Sequence, residues 1–365
     1  MRPCCPICCD DEKSSKILKL LKVGLCMLWA SNFATAKLVM NEPGVDSSLY
    51  ALSRFGIAAL ALLPGSIAAV RRGVIDWNTT KNAAICGSWV AFGYLGQTIG
   101  LLSTTASRSC VICTLHCVFV AIIAEIMRVS RIKQEEIITT ITIDADNNNI
   151  QTKSNNEKNF DLTRLIPAAI AVMGVAVIEL KGAGGEPSIG DLISFSQPIG
   201  FGLGYLQLEE LMKERPEAAL PVSAIKLIVV AFASFLFYEL SPLFLSNNNN
   251  AEFMFRMPDF TPILSSKIAL RGILYTGLIT TSFALWIESI AFKHVPATDA
   301  SIILTTEPLF AAIASSFALG ETFGVSDYFG AILILGACVY AILLDDKGEE
   351  VSSVDDQNNR NLFVE

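Results

Sequence analysis

The fold of this chain is decided by a stretch that occurs twice, as IGLLSTTASRSCVICTLHCVFVAII at residues 99–123 and as IAFKHVPATDASIILTTEPLFAAIA at residues 290–314. Each copy reads as the end of one apolar segment, a very short turn and the start of a second apolar segment. The copies are offset by 191 residues, and the identical positions are Ile99/Ile290, Ala106/Ala297, Thr114/Thr305, Phe119/Phe310, Ala121/Ala312 and Ile122/Ile313. The sequence therefore contains an internal repeat.

The rest of the sequence is too apolar for a soluble protein. Hydrophobic residues make up 52% of the 365 residues and charged residues 17%, whereas soluble chains carry about 25% charge. The mean hydropathy is +0.50. Ten apolar segments have the ~17–25 residues that cross a bilayer as a helix. They are Val23–Met40, Leu49–Val70, Asn82–Leu102, Ser109–Met127, Leu162–Leu180, Ile189–Leu208, Val222–Leu245, Ile268–Phe292, Thr298–Leu319 and Tyr328–Leu344. We predict an all-α, polytopic membrane protein with ten transmembrane helices.

Lys and Arg set the predicted orientation, because cationic loops stay on the cytoplasmic side of a membrane. With the amino terminus inside, the inner segments hold 19 of the 27 basic residues, the outer segments five and the spans three. Both termini are therefore predicted to be cytoplasmic. The pattern does not identify the membrane.

The repeat divides the chain into two copies of five predicted spans. The first copy covers residues 22–182 and includes a polar, Asn-rich inner loop at 129–160 that is predicted to be disordered. The second copy covers residues 188–345, and a Cys-rich tail (1–21) and an acidic tail (346–365) flank the pair. Because five is odd, the second copy enters the membrane from the opposite side. This predicts an inverted repeat, which is typical of alternating-access carriers with a site near the midplane.

Motifs in both copies resemble those of one transporter family. They are Trp29-Ala30-Ser31-Asn32-Phe33, Gly93-Tyr94-x-x-Gln97, Gly190-Asp191-Leu192, Glu307-Pro308-Leu309-Phe310-Ala311-Ala312 and Gly320-Glu321. Over residues 23–344 the chain resembles the drug/metabolite transporter superfamily, specifically its ten-span EamA-type members. His116-Cys117 departs from the pattern, since members commonly have a proline there. The resemblance implies a transporter but no particular substrate, because one fold serves many functions.

Polar residues near mid-membrane are the candidates for the site, because an ionisable group in hydrocarbon costs roughly 2.5–3.5 kcal/mol. His116 and Glu307 occupy equivalent positions in the repeat. An inverted repeat would bring them face to face, either as a substrate or proton site or as a structural hydrogen-bonded pair. The predicted substrate-binding set is Trp29, Asn32, Gln97, His116, Gln197, Tyr205, Trp286, Glu288 and Glu307.

Three basic residues inside the spans are predicted to be interfacial. Lys37, Arg54 and Lys226 lie towards the ends of their segments, and long basic side chains extend from such positions to the membrane surface.

Cysteines and glycines complete the list of candidates. Cys110, Cys113 and Cys117 share one helix face and fit either a soft-metal path or a packing surface. The tail thiols Cys4, Cys5, Cys8 and Cys9 suit S-palmitoylation or an inert tail. No metal or other cofactor is expected. Gly200, Gly202, Gly204 and Gly330 are predicted at close helix–helix contacts.

The sequence therefore favours a secondary carrier of a small polar or amphipathic organic metabolite. The alternative is a non-transporting membrane scaffold or sensor on the same fold. An intramembrane enzyme is disfavoured, because neither His-x-x-x-His nor Gly-x-Ser-x-Gly is present. The net charge of −8 argues against nucleic acid as a partner. The expected partners are a small-molecule substrate and the lipid bilayer, and a homodimer stays open.

Overall fold

The structure is a computed structural model, and every element in its described part is helical. It describes residues 11–100, 103, 112–143, 162–179, 188–245, 256–307, 309–310, 325–326, 328–337 and 339–340. The predicted all-α class is confirmed for these residues.

The amino-terminal half of the chain forms five helices. They are α1 (Asp11–Met40), α2 (Ser47–Arg71), α3 (Trp77–Gly100), α4 (His116–Ile143) and α5 (Ile166–Glu179), the last preceded by a 3₁₀ turn at Leu162–Leu165. Residues 112–114 are also helical.

The carboxyl-terminal half has more interruptions. Its elements are α6 (Ile189–Ser194), α7 (Ser196–Glu214), a 3₁₀ turn (Pro216–Ala218), α8 (Ala219–Leu245), α9 (Thr261–Ser265), α10 (Lys267–Leu274), a π-helix (Tyr275–Phe283), α11 (Ala284–Ala291), α12 (Ala297–Leu304) and α13 (Tyr328–Ala337). The helices α10 and α11 and the π-helix between them form one continuous rod.

Local chemistry explains where several helices begin. The Asp46 carboxylate accepts a hydrogen bond from the Leu49 N–H at 2.7 Å and caps α2. Ser188 and Asp191 form a reciprocal capping box at the start of α6. The turn before α2 passes through Gly44, whose φ of +82° favours glycine.

Within the described ranges, four helices are long and apolar enough to cross a membrane. They are Ser47–Arg71, Ile112–Ser130, Pro216–Pro242 and Lys267–Ala291, and shorter apolar helices lie at Val23–Asn32, Ile166–Val177 and Tyr328–Ala337. Their exposed faces carry large apolar side chains such as Leu60, Phe232 and Ile332, which suits contact with lipid rather than water. The chain is an integral, multi-pass membrane protein.

The predicted disordered loop at 129–160 is wrong over its first part, because α4 continues to Ile143. The segment Arg131–Glu136 consists of good helix formers, so it propagates the helix beyond the apolar stretch. At 1.5 Å per residue, 28 residues reach about 42 Å, which exceeds a ~30 Å hydrocarbon core. Residues 144–160 lie outside the described part.

The two halves interleave instead of forming separate bundles. Helix α2 packs on α8 and on the π-helix, α3 packs on α7 and α8, and α4 packs on α7 and α12. Helix α1 packs on α10, α11, α12 and the π-helix. The helices of both halves therefore surround one central space.

The predicted glycine contacts occur between these helices. A Cβ at Gly200 would lie 2.5 Å from the Trp89 carbonyl oxygen and 2.7 Å from the Gly93 nitrogen, so α7 and α3 touch backbone to backbone. Gly330 lies against Gly174 of α5 in the same way. Gly202 differs, because a Cβ there would be 3.5 Å from its nearest neighbour, an ordinary contact.

Candidate functional site

A cavity of about 100 Å³ lies between the two halves. Side chains from α1, α2, α3, α4, α7, α8, α11 and α12 border it, together with Cys113 just before α4 and Glu307 just after α12. Eight of the nine predicted site residues are in its wall: Trp29, Asn32, Gln97, His116, Gln197, Tyr205, Glu288 and Glu307. The structure thus brings them together, and their part in substrate binding stays a prediction.

Trp286 is the member of the predicted set that does not line the cavity. It is half-buried and packs edge-on against Phe283, with 6.3 Å between the ring centroids. Residues two apart on a helix point about 200° away from each other, so Trp286 and Glu288 cannot share a face.

Thr280 of the π-helix hydrogen-bonds with both side chains that α1 contributes to the cavity wall. The Trp29 indole Nε1 donates to the Thr280 carbonyl oxygen at 3.0 Å, and the Thr280 hydroxyl donates to the Asn32 Oδ1 at 3.1 Å. Trp29 and Asn32 are three residues apart and therefore lie on one face of α1. Short π-helical segments recur at functional sites, where they redirect backbone and side-chain groups.

Arg54 is buried, which corrects its predicted interfacial position. Its side chain is only 7% exposed, and its Nε donates to the Thr281 hydroxyl at 2.7 Å. The guanidinium lies 5.0 Å from the Phe55 ring centroid and 5.8 Å from that of Tyr94. Arg54 is seven residues into α2, about 10 Å along the helix, and the π-helix packs against this face. The side chain therefore turns into the cavity wall instead of extending to the surface.

Lys226 is also buried, and the same prediction is wrong for it. It is 1% exposed, and its Nζ lies 3.1 Å from Oε2 of Glu288 on α11. The prediction used only the depth of Lys226 along α8. That depth does not show that the counter-charge, Glu288, lies on a different helix. The side chain of Lys37 lies outside the described part.

His116 and Glu307 border the same cavity, as their equivalence in the repeat predicted. The His116 Nδ1 hydrogen-bonds with the Cys113 carbonyl oxygen at 2.8 Å, and the imidazole packs edge-on to Tyr205. The backbone of Ser301 on α12 also interacts with the imidazole, and among the described residues no cation lies within 4 Å of the Glu307 carboxylate. Both side chains border the space in which a ligand or water would bind.

Aromatic rings form one wall, and sequence reasoning found only part of it. Tyr94 packs on Phe55 and on Phe201, with ring centroids 5.0 and 4.9 Å apart. Tyr205 stacks between Phe201 and Phe292. Tyr94 lies three residues before Gln97, so helical spacing alone could have added it to the predicted set.

Polar contacts tie the helices together on the side where α1 begins. Arg215, after α7, pairs with Asp76, before α3, at 3.0 Å. Hydrogen bonds from Thr79, and then the charge of Arg215, hold the pKa of Asp76 below its ordinary value. The Glu209 carboxylate accepts from the Ala297 N–H at 2.8 Å and so caps α12.

The cysteine candidates divide between packing and the cavity. Cys117 is fully buried, and its thiol donates to the Thr114 carbonyl oxygen at 3.1 Å, while Cys113 lines the cavity. Within the described ranges, no group of three or more His, Cys, Asp or Glu residues could hold a metal ion. Cys110 and the tail residues Cys4, Cys5, Cys8 and Cys9 lie outside those ranges.

Comparison with solved structures concerns the fold. Twenty-seven solved chains match this one. One of them, described as "Crystal structure of protein", superposes with a TM-score of 0.60 over 92% of this chain and 99% of its own, at 13% identity. No curated protein matches the sequence.

Comparison with family models concerns the second half of the chain. Residues 253–343 match the EamA-like transporter family. The matched region contains the π-helix, Glu288 and Glu307, and therefore one side of the cavity. The match over residues 253–343 confirms the resemblance to EamA-type members of the drug/metabolite transporter superfamily that the motifs around Glu307 predicted.

Proposed function

We propose that the chain is a secondary carrier of a small polar or amphipathic organic metabolite, and that it works by alternating access. The observation that carries this proposal is the central cavity, to which helices of both halves contribute buried charged and polar side chains. Charged groups inside a membrane protein mark substrate and ion pathways.

The proposed architecture is ten spans in two inverted repeats, and the helix contacts support it. If α1–α5 correspond to α6/α7, α8, α10/α11, α12 and α13, the most extensive contacts between the halves have counterparts. The contact of α3 with α7 corresponds to the contact of α1 with α10 and α11. In the same way, the contact of α4 with α7 corresponds to the contact of α1 with α12. The α2–α8, α4–α12 and α5–α13 contacts map onto themselves. A two-fold relation between the halves accounts for this pattern.

Packed layers on both sides of the cavity could serve as alternating gates. On the side where α1 begins, Leu208, Met212, Val222 and Phe292 belong to one apolar cluster. On the opposite side, Val39, Leu49, Tyr238 and Ile273 belong to another. In the proposed cycle each layer opens while the other stays closed.

The proposed orientation has both termini in the cytoplasm. Arg71, Arg72 and Lys213 are exposed at helix ends on the side where α1 begins, in line with the rule that cytoplasmic loops are basic. Labelling of a single cysteine placed at Asn147 tests this, since a label that enters from outside the cell would reverse the orientation.

Reconstitution tests the transport activity itself. Vesicles containing the purified full chain are loaded with a metabolite extract, and the change in contents is measured by mass spectrometry. We expect selective flux that is lost in Asn32→Leu, because that change removes a polar wall group. Phe232→Leu, at a position 62% exposed on the outer surface of α8, is the matched control. A scaffold or sensor would give no flux, or flux that Asn32→Leu leaves unchanged.

A further inference from the structure

Two buried cations occupy matching places in the two halves. Arg54 is the eighth residue of α2, and Lys226 is the eighth residue of α8. These helices pack on one another and correspond in the repeat. Both side chains line the cavity and are at least nine-tenths buried.

Only one of the two cations has a carboxylate beside it. Lys226 pairs with Glu288 at 3.1 Å, so their charges cancel. Among the described residues, no carboxylate lies within 4 Å of the Arg54 guanidinium, whose Nε donates to the neutral Thr281 hydroxyl. Glu307 interacts with the Arg54 charge only at longer range.

The repeat explains the difference between the two cations. The offset of 191 residues that aligns residues 99–123 with 290–314 also aligns Gln97 with Glu288. Both residues line the cavity. At the position where the second half has the carboxylate that pairs with its cation, the first half has a neutral amide. The two halves therefore differ in charge at this position.

We propose that Arg54 is the recognition site for an anionic group of the substrate, and that the cavity takes small organic carboxylates. This inference rests on the proposed carrier function and names its substrate class. A guanidinium offers paired N–H donors that match a carboxylate. The rings of Trp29, Tyr94 and Phe201 line the same cavity and suit an apolar or aromatic body. The substrate anion then supplies the counter-charge that Gln97 lacks.

Binding of three matched probes tests the proposal. Benzoate, benzamide and benzylamine share one ring and differ in charge, and their affinities for the full chain in lipid nanodiscs are measured by calorimetry against empty nanodiscs. We expect benzoate to bind at least about tenfold more tightly than the other two, because a charge-assisted pair is stronger than a neutral one.

Two variants test whether Arg54 causes the preference for benzoate. Arg54→Gln removes the charge, and Gln97→Glu keeps the arginine but restores the carboxylate found in the other half. In both we expect the affinities of benzoate and benzamide to come within about twofold of each other. Gln97→Glu decides the matter if Arg54→Gln does not fold. Phe232→Leu should keep the wild-type preference.

Several outcomes overturn the proposal. They are absence of benzoate binding, equal binding of benzoate and benzamide by the wild-type chain, and an unchanged preference in Gln97→Glu. Metabolite flux in vesicles without an anion preference would contradict the proposed anion site and leave the carrier function in place. Benzoate selectivity without any flux would contradict the carrier function and leave the anion site in place.

Discussion

The Nζ atom of Lys226 lies 3.1 Å from a carboxylate oxygen of Glu288, and both side chains are almost completely buried. The pair joins α8 to α11 at the wall of the central cavity. Two charges in this position are acceptable only together, because each alone would lack both water and a partner.

Breaking this pair should destabilise the protein strongly. For Glu288→Gln we expect a loss of about 3–5 kcal/mol in the free energy of unfolding, since Lys226 would remain as a buried unpaired charge. The double variant Lys226→Met/Glu288→Leu should lose much less. Denaturant titration in detergent micelles measures both. Lys213→Gln, which breaks the exposed pair of Lys213 with Glu209, is the control, with an expected effect below about 1 kcal/mol. Equal losses in the single and double variants would contradict the expectation.

Glu307 should couple transport to protons if the carrier is driven by a pH gradient. Glu307→Gln keeps the size of the side chain and removes its titration, so we expect pH-driven flux to disappear while substrate exchange across the vesicle membrane continues. Asp259→Asn changes an exposed carboxylate outside the cavity and should affect neither activity. If both activities persist in Glu307→Gln, the role of Glu307 is structural.

Substitution by alanine should change the stability of the protein differently at Gly200 and at Gly202, because only Gly200 touches the backbone of α3. Gly200→Ala forces a methyl group against the backbone of Trp89 and Gly93, and we expect a loss of about 1–3 kcal/mol. Gly202→Ala meets its nearest atom, Phe119 Cβ, at 3.5 Å. It should be neutral or stabilising, because Ala has the higher helix propensity. Thermal unfolding of the two variants side by side measures the difference. If Gly202→Ala were less stable than Gly200→Ala, the α7–α4 contact would be tighter than the α7–α3 contact.

Asp76 should make a pH-dependent contribution to stability. Its pKa is lowered in the folded protein, mainly by hydrogen bonds from Thr79 and further by Arg215. The stabilisation is therefore complete above the ordinary value of 3.8 and is lost as the pH falls through the lower folded value. The gap in thermal midpoint between wild type and Asp76→Asn should be wider at pH 6 than at pH 3. Parallel curves for the two proteins would rule out this contribution.

The sequence predicted the all-α class of the described residues, because long apolar segments cross a bilayer as helices. It also predicted that His116 and Glu307 border one cavity, because a repeat relates positions that are far apart in the chain. It missed the burial of Arg54 and Lys226, since position along a helix says nothing about the direction in which a side chain points. It placed Trp286 with the other site residues, whereas in the structure this ring packs on Phe283 and is not part of the cavity wall.

Partners on other helices explain most of the remaining errors. Lys226 is tolerated because of Glu288, 62 residues away, and Arg54 is held by Thr281, 227 residues away. The extension of α4 to Ile143 was missed for a different reason. Hydropathy marks where a segment leaves the bilayer, and it does not show that polar helix formers such as those at Arg131–Glu136 can carry the helix further.

The unequal charge at Gln97 and Glu288 has a consequence for the resting state of the carrier. Two identical inverted halves would make the inward-facing and outward-facing conformations equivalent through a two-fold axis, with the same free energy, so an empty protein would populate both equally. A carboxylate in one half and an amide in the other contribute to removing this equivalence. The empty protein then favours one open face, and Gln97→Glu, which leaves the Lys226–Glu288 pair intact, should bring the populations of the two conformations closer together.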